Sequence, residues 1–355
     1  MLTFNSSTHR IAKFLRILKK FQTNLVLTEK VQTICRHHVS YSKTHKPRNG
    51  PWNILFFGTD AFSVESLKTA KTLNRLEIVT VNKHKDNDVT KYAKKHDIII
   101  HPWPVETDIS DFHIGIVVSF GHLIPSHIIH AFPLGMINVH ASVLPRWRGA
   151  SPIVHALING DSQTGVTIMT IKPKKFDIGE IILQRSTDIG PNETFPELHA
   201  KLSMLGADLL AETIENLPKV LESAVPQNER NVTYAPKLTP KISTVVWNEM
   251  SAKNIYNLYR GLFGIYPLTT KFNDTKIKLL EIEEAQDESV LPELQFEVPG
   301  AAIYDKKDSA LLVKCKEQSF IRIRKLLLSN RSPITAQDFH NGFLSGRKQK
   351  KVFFH

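Results

Sequence analysis

The chain has 355 residues, 41% hydrophobic and 23% charged, which is a globular composition with room for two domains. No apolar stretch approaches the roughly 20 residues that cross a bilayer, so a membrane-spanning helix is excluded. The formal net charge is +12, and residues 1–50 carry ten Lys or Arg against one acidic residue, Glu29.

Within that first segment Ile11, Phe14, Leu15, Leu18 and Phe21 form an apolar stripe, with Arg10, Lys13, Arg16, Lys19 and Lys20 on the basic side. An amphipathic, acid-poor helix of this kind reads as a mitochondrial targeting segment rather than a secretory signal. A basic tail that binds nucleic acid is the alternative. The two cysteines, Cys35 and Cys315, provide neither a disulfide framework nor a cysteine metal site. Sixteen histidines occur without His-Glu-x-x-His spacing, so metal-free chemistry is expected.

Ile54–Phe57 is predicted as a strand ending in Gly58-Thr59-Asp60, followed by a helix carrying Phe62, Val64, Leu67 and Ala70. Glu77–Val81 is a second strand, and Tyr92–Lys95 belongs to a short helix before Ile98–Ile100. Ile114–Ser119 is a strongly apolar strand with turn signals after it at Gly121 and Pro125. The alternation is α/β, and the apolar runs suit a parallel sheet with helices on both faces.

Asn138 and His140 come next, just before a rigid, positively charged turn, Leu144-Pro145-Arg146-Trp147-Arg148-Gly149. If Ile137–His140 is extended, these two side chains share a face and can reach one reacting carbonyl. Val166–Ile171 is predicted as a strand, Lys172–Gly179 as a loop and Glu180–Leu183 as another strand. Asp177 then lies on a loop that can close over the carboxyl ends of the strands, where ligands gather in open α/β sheets. Asn138, His140 and Asp177 are the candidate catalytic cluster. Each has a structural alternative: a turn cap, a satisfied core histidine, a loop-ordering aspartate.

Residues 192–222 are helical in pattern and close this domain, and residues 227–245 read as a linker. Trp247–Phe263 is predicted helical. Leu268–Phe272, Lys276–Leu280, Ala301–Tyr304 and Phe320–Arg324 are short strands suited to a small β-barrel. Arg322 and Arg324 alternate with Ile321 and Ile323, and together with Lys348 and Lys350 they make a candidate phosphate-binding face, with a solvated face as the alternative. The expected division is 1–50 targeting segment, 51–226 catalytic domain, 227–245 linker, 246–346 barrel-like domain and 347–355 basic tail.

The chain resembles the methionyl-tRNA formyltransferase family, mitochondrial type. The resemblance is carried by Phe57-Gly58-Thr59, Ser119-Phe120-Gly121-His122-Leu123-Ile124-Pro125, the run Asn138–Gly149, Gly165–Met169 and Phe176-Asp177-Ile178-Gly179-Glu180. It continues through Tyr234–Leu238 and from Ile265-Tyr266-Pro267 to Thr335–Phe339, covering about residues 52–345.

That resemblance implies a Rossmann-like formyltransferase domain holding 10-formyltetrahydrofolate and a C-terminal domain that helps hold charged initiator methionyl-tRNA in the mitochondrial matrix. The family's catalytic residues fall on Asn138, His140 and Asp177. Phe120, Gly121 and Leu123 are expected at the folate; Arg146 and Arg148 are expected at tRNA phosphates or the folate glutamate tail, with ordinary solvation as the alternative, and Trp147 near the acceptor end, with a purely structural role as the alternative. Bacterial members have an Arg/Lys-rich insertion after the second strand, whereas Thr80–Thr90 here is short. Another folate-dependent formyltransferase acting on a small amine, and a noncatalytic RNA-binding protein, are the competing readings.

Overall fold

The computed structural model describes residues 50–81, 85–285, 292–329, 331–345 and 351–355. Most of the targeting segment, together with Lys348 and Lys350, lies outside the described residues.

The first domain begins with β1 (Asn53–Gly58), helix α1 (Ala61–Leu73), β2 (Arg75–Thr80), α2 (Asp88–Lys95) and β3 (Ile100–Pro102). It continues with β4 (Ile114–Val118), β5 (Met136–His140), α3 (Pro152–Ile158), β6 (Gln163–Thr170), β7 (Ile181–Asp188) and α4 (Phe195–Glu215). Asp60 starts α1 by accepting the Ser63 N–H at 3.2 Å, while the Ser63 hydroxyl accepts the Asp60 N–H. This reciprocal cap satisfies N–H groups that have no partner inside the helix.

The strand order is β3-β2-β1-β4-β5-β6-β7. β1 is parallel to both β2 and β4, and the chain builds outward on one side of β1 before crossing to the other. The β1/β4 boundary is therefore a topological switch point, where the strand ends leave a crevice. Ile54 and Phe56 enter the core on one face of β1, Leu55 and Phe57 the core on the other, and all four are fully buried. Burial on both faces is why β1 reads as an unbroken apolar run.

The expectation of a parallel sheet holds through β5 and needs correction beyond it. β6 runs antiparallel to β5, and β7 antiparallel to β6. The link from Thr170 to Ile181 contains no helix to carry a parallel crossover, so the chain folds back as a hairpin.

In the second domain α5 (Ala252–Leu262) precedes β8 (Leu268–Phe272), β9 (Thr275–Glu284), β10 (Ala301–Asp305), β11 (Ala310–Lys314), β12 (Phe320–Leu327), β13 (Ile334–Thr335) and β14 (Lys351–Phe353). The antiparallel order is β14-β10-β11-β12-β9-β8, with β13 on β12. The sheet curls until His355, just past β14, exchanges backbone hydrogen bonds of 2.8 and 3.0 Å with Lys271 in β8. The expected basic tail thus ends in a strand, where Val352 is buried and Lys351 pairs with Glu297 at 2.6 Å.

Trp247 also departs from expectation. It precedes the helix, which starts at Ala252 with a Ser251–Asn254 capping box, and its indole N–H donates to Thr270 Oγ1 at 2.8 Å. Val154 of α3 is buried in the second domain's core, and Arg260 of α5 donates to the Gly190 and Glu193 carbonyls at 3.1 and 3.2 Å. These contacts seat the second domain on the first.

Candidate active site

A cavity of about 580 Å³ opens beyond the carboxyl ends of β1, β4 and β5, with Thr59, Ser119, Asn138, His140, Lys175 and Asp177 in its wall. Asn138 and His140 lie two apart on β5, opposite Met169 and Thr167 of β6. Both face the cavity, as strand geometry requires of positions i and i+2. The Asn138 amide is half-buried and has no hydrogen-bond partner among the described residues.

His140 is 6% exposed, and its Nε2 stands 2.9 Å from the Trp147 carbonyl oxygen. A carbonyl can only accept, so Nε2 carries a proton and donates it there. Nδ1 then faces Asp177, whose Oδ1 is 3.6 Å away. That separation exceeds a hydrogen bond, and the contact is an ion pair only when the imidazole is protonated. The other carboxylate oxygen, Asp177 Oδ2, accepts the Gly149 N–H at 2.8 Å. Trp147 at φ +65° and Asp177 at φ +56° both occupy the left-handed region that favours glycine. Such backbone costs ~1–3 kcal/mol per residue, so surrounding contacts must hold it in place.

Those contacts come from the linker. The Arg148 N–H donates to the Thr233 carbonyl at 2.9 Å, the Ala235 N–H donates to the Arg148 carbonyl at 2.7 Å, and the Trp147 N–H donates to Thr233 Oγ1 at 2.9 Å. Gln227, 8% exposed, donates through Nε2 to the carbonyls of Asp177 at 3.0 Å and Gly179 at 2.8 Å. Its Oε1 accepts from Arg148 Nε at 2.9 Å and Nη2 at 2.7 Å. Close backbone approach makes two glycines necessary. A Cβ on Gly149, at φ +127°, would sit 2.6 Å from the Ala235 oxygen, and one on Gly179 would overlap the Thr170 oxygen at 1.5 Å.

Sequence reasoning missed Gln227 and Thr233 because their polar, proline-rich surroundings read as a plain linker. It also missed Asp60 and His199, which line the same cavity. Desolvation raises the Asp60 carboxyl above its usual range, with the Ser63 N–H opposing. Desolvation likewise lowers His199, and the nearby Asp60 opposes it.

Several residues expected at ligands have partners within the chain. Arg148 is 5% exposed and spends its guanidinium on Gln227 and on Glu229, 2.9 Å away, so it braces the turn. Trp147 is 7% exposed and donates from Nε1 to Asp161 at 2.7 Å, while the Arg146 guanidinium lies over its ring at 4.3 Å and forks onto the same Asp161. Among the barrel residues, Arg324 forks onto Glu283 at 2.8 and 3.0 Å. Arg322 Nε lies 2.7 Å from Asp308 as an ion pair whose N–H is not aimed as a hydrogen bond. Arg322 and Arg324 of the expected phosphate-binding face therefore each meet a carboxylate within the barrel.

Of the three residues expected at the folate, Leu123 is 45% exposed at the cavity and Gly121 turns the chain there at φ +73°. Phe120 borders the same cavity, but its ring packs edge-on against Phe57 and Trp103. Among the described residues no group of three His, Cys, Asp or Glu side chains could hold a metal ion, and no helix is long and apolar enough to cross a membrane.

Residues 107–214 match the family model described as formyl transferase, and residues 237–344 match formyl transferase, C-terminal domain. Over 315 residues the chain is 40% identical to mitochondrial methionyl-tRNA formyltransferase of Homo sapiens, covering 84% of this chain and 80% of that protein. The chain belongs to the methionyl-tRNA formyltransferase family. A member from Nitratidesulfovibrio vulgaris is 32% identical over 319 residues, covering 84% of this chain and 94% of its own. Among solved structures, the sugar 3N-formyl transferase WlaRD matches with a TM-score of 0.57 at 18% identity, covering 79% of this chain and 99% of that one. HypX from Aquifex aeolicus, in complex with tetrahydrofolic acid, matches at 0.56 and 14% identity, covering 84% and 48%. These structural likenesses show a shared fold.

Proposed function

We propose that this formyltransferase carries the formyl group of 10-formyltetrahydrofolate to the α-amine of initiator methionyl-tRNA in the mitochondrial matrix. The observation that carries the reading is the convergence of Asn138, His140 and Asp177 on one cavity at the sheet's switch point, in a chain of this family. Location rests on the relatives at about 39% identity, which are named mitochondrial, and on the basic, acid-poor first fifty residues.

The cavity suits a folate donor. Leu123 and the border of Phe120 offer apolar surface for a flat ring, and the Asn138 amide stands unbonded beside it. When bound, 10-formyltetrahydrofolate supplies a formyl carbonyl on N10 that an amine can attack. Asn138 donates to the formyl oxygen as negative charge develops there. His140 has Nε2 committed to Trp147, so Nδ1 is the atom that accepts the amine proton and returns it to the leaving nitrogen. The Nε2 bond to Trp147 keeps Nδ1 turned toward Asp177 and the cavity, and Asp177 balances the imidazole's charge when Nδ1 is protonated. A free α-amine has a reference pKa of about 8, so positioning is a larger part of the task than deprotonation.

Residues 51–226 carry the chemistry in this reading, residues 227–245 brace it, and the domain from residue 246 adds tRNA contact. The test is to incubate purified protein with 10-formyltetrahydrofolate and methionylated initiator tRNA, then assay formylmethionine after ester hydrolysis. Transfer to small amines with none to the tRNA would reject the assignment.

A further inference from the structure

The loop between β6 and β7 is clamped at its base. The Thr170 N–H donates to the Glu180 carbonyl at 2.9 Å, and the Glu180 N–H donates to Thr170 Oγ1 at 2.9 Å. Its far limb is fixed by Gln227 and by the bond from Gly149 to Asp177. On this held base the chain displays Lys174, Lys175 and Phe176 to solvent, with Phe176 57% exposed and immediately before Asp177. Lys175 and Phe176 line the same cavity as Asn138 and His140.

Pairing separates these lysines from several other cations of the chain. Arg146, Arg148, Lys172, Arg322 and Arg324 each have a carboxylate partner. Lys174 and Lys175 form no ion pair among the described residues. Glu229, whose carboxyl feels Lys175, is already bonded to Arg148.

We propose that Lys174, Lys175 and Phe176 dock the single-stranded 3′ end of the charged tRNA, with Phe176 stacking on the terminal base and the two lysines neutralising its phosphates. This rests on methionyl-tRNA being the acceptor. An amine that reaches Asn138 and His140 brings its esterified terminal nucleoside to the cavity mouth, where Phe176 stands one residue from Asp177. Aromatic faces beside unpaired cations are the means by which proteins hold single strands without reading sequence. The loop's rigid base makes this an orienting contact, since a nucleoside stacked on Phe176 is fixed relative to His140.

Steady-state transfer by the full chain is measured against methionyl-tRNA, against the methionyl ester of adenosine, and against mono- and polyglutamylated donor. Lys174→Gln with Lys175→Gln should raise the KM for methionyl-tRNA about tenfold at low salt and reduce the salt slope by about 1.4, from ~0.7 per single-strand phosphate neutralised. The adenosine ester, lacking phosphate, should not register the lysine change. Phe176→Ala should raise the KM for both acceptors by roughly tenfold, and Phe176→Tyr should restore it. An unchanged tRNA KM and salt slope in the lysine variant overturns the proposal. So does a defect confined to the polyglutamylated donor, which would assign the lysines to the folate tail. Failure of the unmodified protein to formylate methionyl-tRNA would remove the acceptor assignment itself, whereas an active parent with indifferent loop variants removes only the docking role.

Discussion

Asp177 Oδ1 lies 3.6 Å from His140 Nδ1, and the two side chains are anchored by peptides on either side of Arg148: the Trp147 carbonyl holds the imidazole and the Gly149 amide holds the carboxylate. Residues far apart in sequence are thus positioned by one turn, and that turn is pinned by the linker at Thr233 and Ala235.

Asn138→Ala and His140→Ala should each fold and lose transfer. Asn138 has no partner to abandon among the described residues, and its donor is needed chiefly as charge develops on the formyl oxygen. Loss of one such donor costs about 100- to 1000-fold in turnover. Single-turnover transfer and a thermal melt check this, and near-normal turnover in both variants would remove them from the mechanism.

Asp177→Asn keeps an oxygen for the Gly149 N–H and removes the charge facing His140 Nδ1. Turnover should fall while donor affinity stays close to the parent's. A titration of donor binding alongside the rate separates the two effects, and an unchanged rate and pH–rate profile would contradict the role assigned to this carboxylate.

Gln227→Glu retains an acceptor for Arg148 and loses the donors to the Asp177 and Gly179 carbonyls. The loop should relax while the turn stays braced, lowering kcat by roughly 10- to 100-fold, the scale of a 1 Å misplacement. The KM for donor should move far less. Equal changes in kcat and donor KM, or none, would argue that Gln227 only fills space.

Cys315 is fully buried, and burial pushes its thiol up to about 12. At pH 8 only ~1 in 10,000 native thiols would be thiolate, so a maleimide should label Cys315 at the rate of unfolding. The neutral thiol's contribution to stability is complete below about pH 9, its ordinary value, and is lost as pH rises toward 12. Rapid labelling of folded protein lacking Cys35 would contradict this.

Residues 1–50 fused to a soluble reporter should carry it into the mitochondrial matrix, on the strength of their amphipathic, acid-poor pattern. Imaging in cells checks this, and a cytosolic reporter would favour the nucleic-acid-binding tail.

The apolar runs of β1 and β4 were legible because strands buried on both faces must be apolar throughout, and Asn138 and His140 because period two puts them on one face. β11, equally apolar from Ala310 to Val313 and buried throughout, was not among the predicted strands. The reversal at β6 was hidden too, because strand direction is set by the connection and its pairing rather than by the composition of the strand.

The partners of charged residues are less legible in a sequence than the faces of its strands. Arg146, Arg148, Arg322 and Arg324 look alike in the chain as cations available to phosphate, yet each meets a carboxylate in the fold. Residue type and local periodicity were enough to nominate the strand pair Asn138 and His140 and the loop aspartate, because those are properties of neighbours in the chain. Which cations find a carboxylate and which carbonyl fixes the histidine depend on the folded arrangement of the chain, and the bridge that Gln227 makes from Arg148 to the Asp177 loop exists only once the linker has packed against the turn.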